Sequence, residues 1–276
     1  MDAPNNITNI SDITPNNITT TITSITDIKN AYYINLENRK DRKAHVENEL
    51  LKIGIKAERF NAIKLPNGAL GCSMSHLKCI ENAKQNNWDH VLVVEDDITF
   101  LDKNLFIRQL NKFLKFNKSW DVILFAGNNH KPYIQYGDFS VKVFRCQTTT
   151  GYLVKSNYYD KLIENYKQGV NNLMREPTKE NQHAIDKNWF RLQEKDSWFL
   201  ITPLSVTQKH DYSDIEKKKI DYTSLMMDLD KEFESDKNKN LNLQIENKIP
   251  ANRNKDFNMK IQNKPSMQLQ KLNINK

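Results

Sequence analysis

His90-Val91-Leu92-Val93-Val94-Glu95-Asp96-Asp97 is the stretch whose reading decides the fold. A run of apolar, mostly β-branched residues ends abruptly in three consecutive carboxylates. It is too short for a helix and predicts a buried strand. Acids held together at a strand end raise one another's pKa and destabilise the fold unless something neutralises them. In open α/β sheets, ligands bind just beyond the carboxyl ends of the strands. The run therefore has two readings: a divalent metal at Glu95 and Asp97, or a solvated strand-to-turn junction.

Working outward, the residues before it alternate in character. AYYINL at 31–36 predicts a first strand, and a charged turn follows. Val46, Leu50, Leu51 and Ile53 then give a helix an apolar face, with Gly54 as its C-terminal cap. Arg39 and Arg42 sit three apart at that helix start, where two guanidinium groups either hold a pyrophosphate or face solvent. Residues 58–62 predict a second strand, and Gly71-Cys72-Ser73-Met74-Ser75-His76 opens a second helix. Small residues at a helix start let a ligand approach backbone N–H groups. After the acids, 104–116 is amphipathic, and strands are predicted at 120–126, 141–145, 149–154 and 198–201. Ser156 is expected to cap a helix to about residue 167, and 171–181 to form a polar loop over the site. Strand and helix alternate from 31 to about 130, which predicts an α/β fold: a mainly parallel sheet with helices on both faces.

The chain has 276 residues, 38% of them hydrophobic, and a formal net charge of +7. That length suits one α/β domain with a sizeable core plus tails. The basic excess suits anionic ligands such as nucleotides. No basic and aromatic blocks alternate as a nucleic-acid surface would need, so no nucleic-acid partner is expected. Cys72, Cys79 and Cys146 form no C-x-x-C pair and read as free thiols, with a zinc pair at Cys72 and Cys79 as the alternative. No apolar run approaches the ~20 residues of a membrane span, and no secretory signal is evident, so a cytoplasmic location is expected. Residues 1–29, rich in Asn, Ile and Thr, read as a disordered leader whose glycosylation sequons reflect composition. Residues 30–215 read as the domain, and 216–276 as a tail, helical at 222–233 and then disordered. Heavy use of Asn, Ile and Lys suggests an AT-rich genome, bacterial or viral.

Several pieces fall in one order: YYINLENRKDR at 32–42, ERFNAI at 58–63, GCSMSHL at 71–77, VLVVEDDITF at 91–100, GYLV at 151–154, Asp186 in HAID and QKHDYSDI at 208–215. This order resembles glycosyltransferase family 25, which includes lipopolysaccharide hexosyltransferases and collagen hydroxylysine glycosyltransferases. The resemblance implies a single GT-A-type domain, a UDP-glucose or UDP-galactose donor, a divalent metal, usually manganese, and inversion at the anomeric carbon. Glu95-Asp96-Asp97 takes the place of the family's D-x-D motif. Asn35, Arg39 and Arg42 match its segment near the nucleotide, and Gly71, Ser75 and His76 match its G-C-x-x-S-H segment. His210 lies where many such enzymes place a metal-ligating histidine. Oxygen ligands suit magnesium or manganese, and one imidazole tilts toward manganese.

An inverting transfer needs a carboxylate within reach of the acceptor hydroxyl. Asp186 is the candidate, with a helix N-cap as its structural alternative and Asp196 and Asp214 as reserves. A haloacid-type phosphatase would need aspartate where Glu95 stands. A nucleotide-sugar-binding module without turnover is the competing class. The acceptor is expected to be hydroxylysine or galactosyl-hydroxylysine of a collagen-like protein, with a surface glycan as the alternative.

Overall fold

The computed structural model describes residues 21–233. The chain runs β1 (Ala31–Asn35), α1 (Lys40–Lys52), β2 (Glu58–Asn61), α2 (Gly68–Gln85), β3 (His90–Glu95), β4 (Ile98–Phe100), α3 (Lys103–Phe116), β5 (Val122–Leu124), β6 (Asn128–Tyr136), β7 (Ser140–Gln147) and β8 (Gly151–Lys155). Helix α4 (Tyr159–Arg175) follows, then the single turns α5 (Glu180–His183), α6 (Ile185–Asn188) and α7 (Phe190–Gln193). Strands β9 (Trp198–Ile201), β10 (Val206–Gln208), β11 (Asp211–Ser213) and β12 (Lys218–Ile220) precede α8 (Thr223–Met226).

One eight-stranded sheet has the order β2-β1-β3-β8-β5-β9-β7-β6. β1 pairs in parallel with β2 and β3, and β5 with β9, while β8 and β7 run against their neighbours. Six of the eight strands point one way, giving the mainly parallel α/β sheet expected. Alternation along β3 shows why helices cover both faces. Leu92 and Val94 enter a core with Val46 and Leu50 of α1 and Phe106, Leu110 and Phe113 of α3. Val91 and Val93 enter the opposite core with Leu77 and Ile80 of α2 and Leu162 and Tyr166 of α4. Val91 to Val94 are fully buried, each contributing about 1.5–3 kcal/mol of burial free energy.

The edges of the domain differ from expectation. Ile22, Ile25 and Ile28 are buried in the core beside α1 and α3, so the leader drawn to residue 29 packs from Ile22 onward. Their spacing suits the 3-10 turn Ile25–Asp27, where Asp27 accepts the Thr23 and Ser24 N–H groups. At the other end Met226 and Tyr222 pack on the same core, so the domain continues past 215. The helix expected over 222–233 shrinks to α8. Residues 1–20 of the leader, with the sequons, and the tail beyond 233 lie outside the described residues.

Helix α4 runs through Gly169 to Arg175, shortening the loop expected at 171–181. Gly169 serves as a packing contact there: an added Cβ would lie 3.1 Å from Asn188 Nδ2 and from the His183 carbonyl. β6 was missed because it is a polar edge strand containing Pro132. Among the described residues no helix is long and apolar enough to cross a membrane.

Candidate functional site

β3 is buried along its length and delivers its acids where β1 also ends, at Asn35, and where β8 begins. The Glu95 N–H donates to the Thr150 carbonyl at 2.9 Å, tying the acid run to the β7–β8 loop. A cavity of about 820 Å³ opens at this carboxyl end, lined by Arg42, Cys72, His76, Glu95, Asp96, Asp97, Thr149, Asp186 and Gln208 among others.

The three carboxylates have different surroundings. Glu95 accepts Thr149 Oγ1 at 2.8 Å and Gln208 Nε2 at 3.1 Å, with His76 Nε2 at 3.4 Å and Cys72 Sγ at 3.7 Å from Oε1. Burial pushes its carboxyl up, but hydrogen bonds from His76 and Thr149, with the charges of His76 and Arg42, together outweigh this and hold it below the ordinary range. Asp96 accepts Asn35 Nδ2 at 2.7 Å and Arg42 Nη1 at 3.0 Å, yet burial still raises it. Asp97 Oδ2 accepts Arg42 Nη1 at 3.1 Å, and burial with the Glu95 charge pushes Asp97 up to about 8. Asp97 Oδ1 is buried with no hydrogen-bond partner among the described residues. An orphaned carboxylate oxygen beside a second buried acid is what a hard divalent cation would satisfy, so Asp97 and Glu95 fit one.

His210 does not join them. Its side chain is exposed at the bend between β10 and β11, outside the cavity lining. The residues on either side are tied inward instead: Gln208 bonds Glu95, and the Lys209 N–H donates to the Asp97 carbonyl at 2.7 Å. The structure therefore does not bring together with the acids the histidine ligand that the resemblance implies.

The remaining binding candidates divide into wall and support. Arg42 lines the cavity and donates to Asp96, Asp97 and, at 2.9 Å, the Tyr212 carbonyl. Arg39 is outside the lining, engaged with Asp41, with Asp211 at 3.1 Å and with Asp214 at 2.6 Å. The β11–β12 hairpin is thus pinned by both arginines. Asn35 is buried behind the wall, where it positions Asp96 and accepts Arg59 Nε at 3.1 Å. Gly71 also supports rather than lines: an added Cβ would meet the Ile63 carbonyl at 2.4 Å. Ser75 lines the cavity, but its hydroxyl is used locally, donating to the Gly71 carbonyl and accepting the Ile63 N–H. His76 is fully buried, with Nδ1 2.9 Å from Tyr152 Oη.

Asp186, on α6, lines the cavity and accepts the Thr148 N–H at 3.2 Å. Burial foremost, with the Glu95 charge, raises its pKa. Thr148 has φ +70°, unusual for a β-branched residue, so this loop is held in a strained conformation against Asp186. Asp196 is spent on Tyr158 and Lys161 away from the cavity, and Asp214 on Arg39. Thr149, Gln208 and Asp211 were not foreseen as site residues, and Cys72 only as one of a zinc pair with Cys79. The polar triplet Thr148-Thr149-Thr150 between two apolar strands was the one available signal.

A model of glycosyltransferase family 25 (LPS biosynthesis protein) matches residues 64–176. That span holds α2 and β3 through α4, hence the acids and His76, and leaves Arg39, Arg42 and Asp186 outside. The procollagen lysyl hydroxylase and glycosyltransferase of Acanthamoeba polyphaga mimivirus is 29% identical over 27% of this chain and 12% of its own length. This chain thus spans a small part of that relative. A glycosyltransferase involved in glycosylation of the major capsid of PBCV-1 is 12% identical, with TM-score 0.36, covering 64% of this chain and 94% of that one. A Drosophila β-1,4-galactosyltransferase 7 mutant bound to manganese, UDP-Gal and xylobiose is 16% identical, with TM-score 0.29, over 49% of this chain and 52% of that one. At TM-scores this low, the likeness carries no weight for fold or function.

Proposed function

We propose that this chain, a relative of glycosyltransferase family 25 over residues 64–176, moves a hexose from UDP-glucose or UDP-galactose to an acceptor hydroxyl with inversion. The observation that carries the proposal is the buried, unpartnered Asp97 Oδ1 beside Glu95, at the mouth of the mainly parallel strands. Breaking the bond from sugar to UDP leaves negative charge on the diphosphate, which must be stabilised. A manganese or magnesium ion held by Asp97 and Glu95 would supply that stabilisation as a Lewis acid.

The chain's own groups do the rest. Arg42 presents its guanidinium to the cavity and can pair with phosphate oxygens in place of its carboxylate partners. Asp96, held by Asn35 and Arg42, keeps the acid run oriented. Asp186 accepts the acceptor's hydroxyl proton as it attacks from the face opposite UDP. Its raised pKa makes it a stronger proton acceptor than an ordinary aspartate. The β11–β12 hairpin adds Asp211, Ser213 and Asp214 to the cavity wall.

For the acceptor, the name of the mimivirus relative favours hydroxylysine or galactosyl-hydroxylysine of a collagen-like protein. The family's description favours a lipopolysaccharide sugar as the second reading. The test is UDP release from a panel of UDP-sugars with and without manganese, then transfer to hydroxylysine and galactosyl-hydroxylysine peptides. Manganese-dependent release from one UDP-hexose is expected. Metal-dependent UDP binding with no release from any donor would instead favour a binding module without turnover.

A further inference from the structure

Cys72 and His76 are four residues apart on α2, so they share one face one turn apart. Glu95 reaches the same point from the end of β3. The Cys72 thiol, a His76 ring nitrogen and a Glu95 oxygen all lie within 4.8 Å of one another.

Two separations within this group also have the lengths of metal-ligand edges. His76 Nε2 to Glu95 Oε1 is 3.4 Å, and Cys72 Sγ to Glu95 Oε1 is 3.7 Å. An N–H···O bond to a carboxylate is ordinarily about 2.7–3.2 Å, so the first contact is long for one. Zinc binds sulfur at about 2.3 Å and nitrogen or oxygen at about 2.0–2.2 Å, in tetrahedral geometry. Those lengths set the ligand atoms about 3.4 Å apart for N···O and about 3.6 Å for S···O. The two observed separations match these edges.

The surroundings also suit a metal. Tyr152 Oη, 2.9 Å from His76 Nδ1, can take the Nδ1–H, so that Nε2, once it gives up the proton it shares with Glu95, offers its lone pair to a metal. Such an outer partner fixes the tautomer of metal-bound histidine. All three residues line the cavity, so a metal held by them would be reached from it. Thiolate and imidazole select zinc over magnesium or manganese.

We propose that Cys72, His76 and Glu95 form a zinc site, separate from the oxygen site at Asp97 but sharing Glu95. On binding, the Cys72 thiol proton and the His76 Nε2 proton go to solvent, sulfur–zinc and nitrogen–zinc bonds form, and no redox change is involved. Zinc there withdraws Glu95 from a cation at Asp97. Only that consequence rests on the proposed transferase reading; the zinc site itself does not.

The test is an optical titration of the full reduced chain with cobalt(II), which needs no sugar donor. One equivalent of cobalt should give a sulfur-to-metal charge-transfer band that zinc then abolishes. Cys72→Ser should lose the band and bind zinc at least about tenfold more weakly, with unchanged thermal melting. Cys146→Ser should keep both. In the wild type, zinc should protect Cys72 from alkylation, read by peptide mass spectrometry, a measurement that does not depend on how any variant folds. No band with wild type, an undiminished band in folded Cys72→Ser, or alkylation of Cys72 unaffected by zinc would each overturn the site. Because the readout is optical, its failure leaves the transferase proposal standing, and the reverse also holds.

Discussion

Arg42 donates to one oxygen of Asp97 at 3.1 Å, while the other oxygen, Oδ1, is buried and unpartnered among the described residues. One oxygen is thus held by the protein and the other is left for a ligand. Asp97→Ala should therefore weaken manganese-dependent UDP binding at least about tenfold while circular dichroism and melting stay close to wild type. Titration calorimetry with UDP, with and without manganese, measures this. Equal affinity in wild type and variant would exclude Asp97 as a metal ligand.

Asp186 shares the cavity with Glu95, and its carboxylate accepts the Thr148 N–H. Asp186→Asn keeps that acceptor and removes the base. Transfer should fall by on the order of 10²–10⁴-fold, with UDP-sugar affinity changed little. A comparable loss of donor affinity would make Asp186 a positioning group for the Thr148 loop instead.

The β11–β12 hairpin engages both Arg42, which lines the cavity and is proposed to pair with the diphosphate, and Arg39 beside it. Asp211 and Asp214 together take both Nη groups of Arg39, and Asp211 Oδ2 lies 3.7 Å from Arg42 Nε. Exposed ion pairs contribute at most about 1 kcal/mol each, so Asp211→Asn combined with Asp214→Asn should tighten UDP binding about two- to fivefold. The gain should shrink as salt rises. Weaker binding in the double variant would mean that the hairpin carboxylates hold the arginines in their working position.

His90 Nε2 accepts the Lys29 N–H at 3.0 Å, and Nδ1 is buried without a hydrogen-bond partner among the described residues. Burial lowers its pKa, against the charges of Asp89 and Asp27. The unfolded chain, with histidine near about 6.5, takes up the proton first. Stability is thus present above that pH and is lost as pH falls below it. Protonation also removes the acceptor that holds the chain after Ile28. Amide exchange over residues 22–29 should accelerate between about pH 7.5 and about pH 5.5 beyond its intrinsic change, and His90→Gln should remove the extra acceleration. The same pH response in both proteins would place the sensitivity elsewhere.

Legibility in the sequence followed burial. β1, β3 and β9 show as apolar runs because both of their faces are covered. β6 did not show because an edge strand needs no apolar period and here carries Pro132. Gly54, at φ +74°, ends α1 as its position suggests, whereas Gly169 looks the same in sequence and lies inside α4 as a contact point. A glycine's role depends on what passes beside it, which sequence does not record.

What the sequence determined by itself is local: a buried strand ending in three acids, helices with one apolar face, and free thiols, as found. Each follows from periodicity or composition within a few residues. Tertiary structure decided which polar groups meet. Gln208 reaches Glu95 across 113 positions of chain, Asp211 reaches Arg39 across 172, and Cys72 turns to His76 and Glu95 instead of to Cys79. His210, one residue from a cavity-lining lysine, faces out. The reason is geometric: strand pairing and a single bend set which way a side chain points, and one position of displacement reverses it.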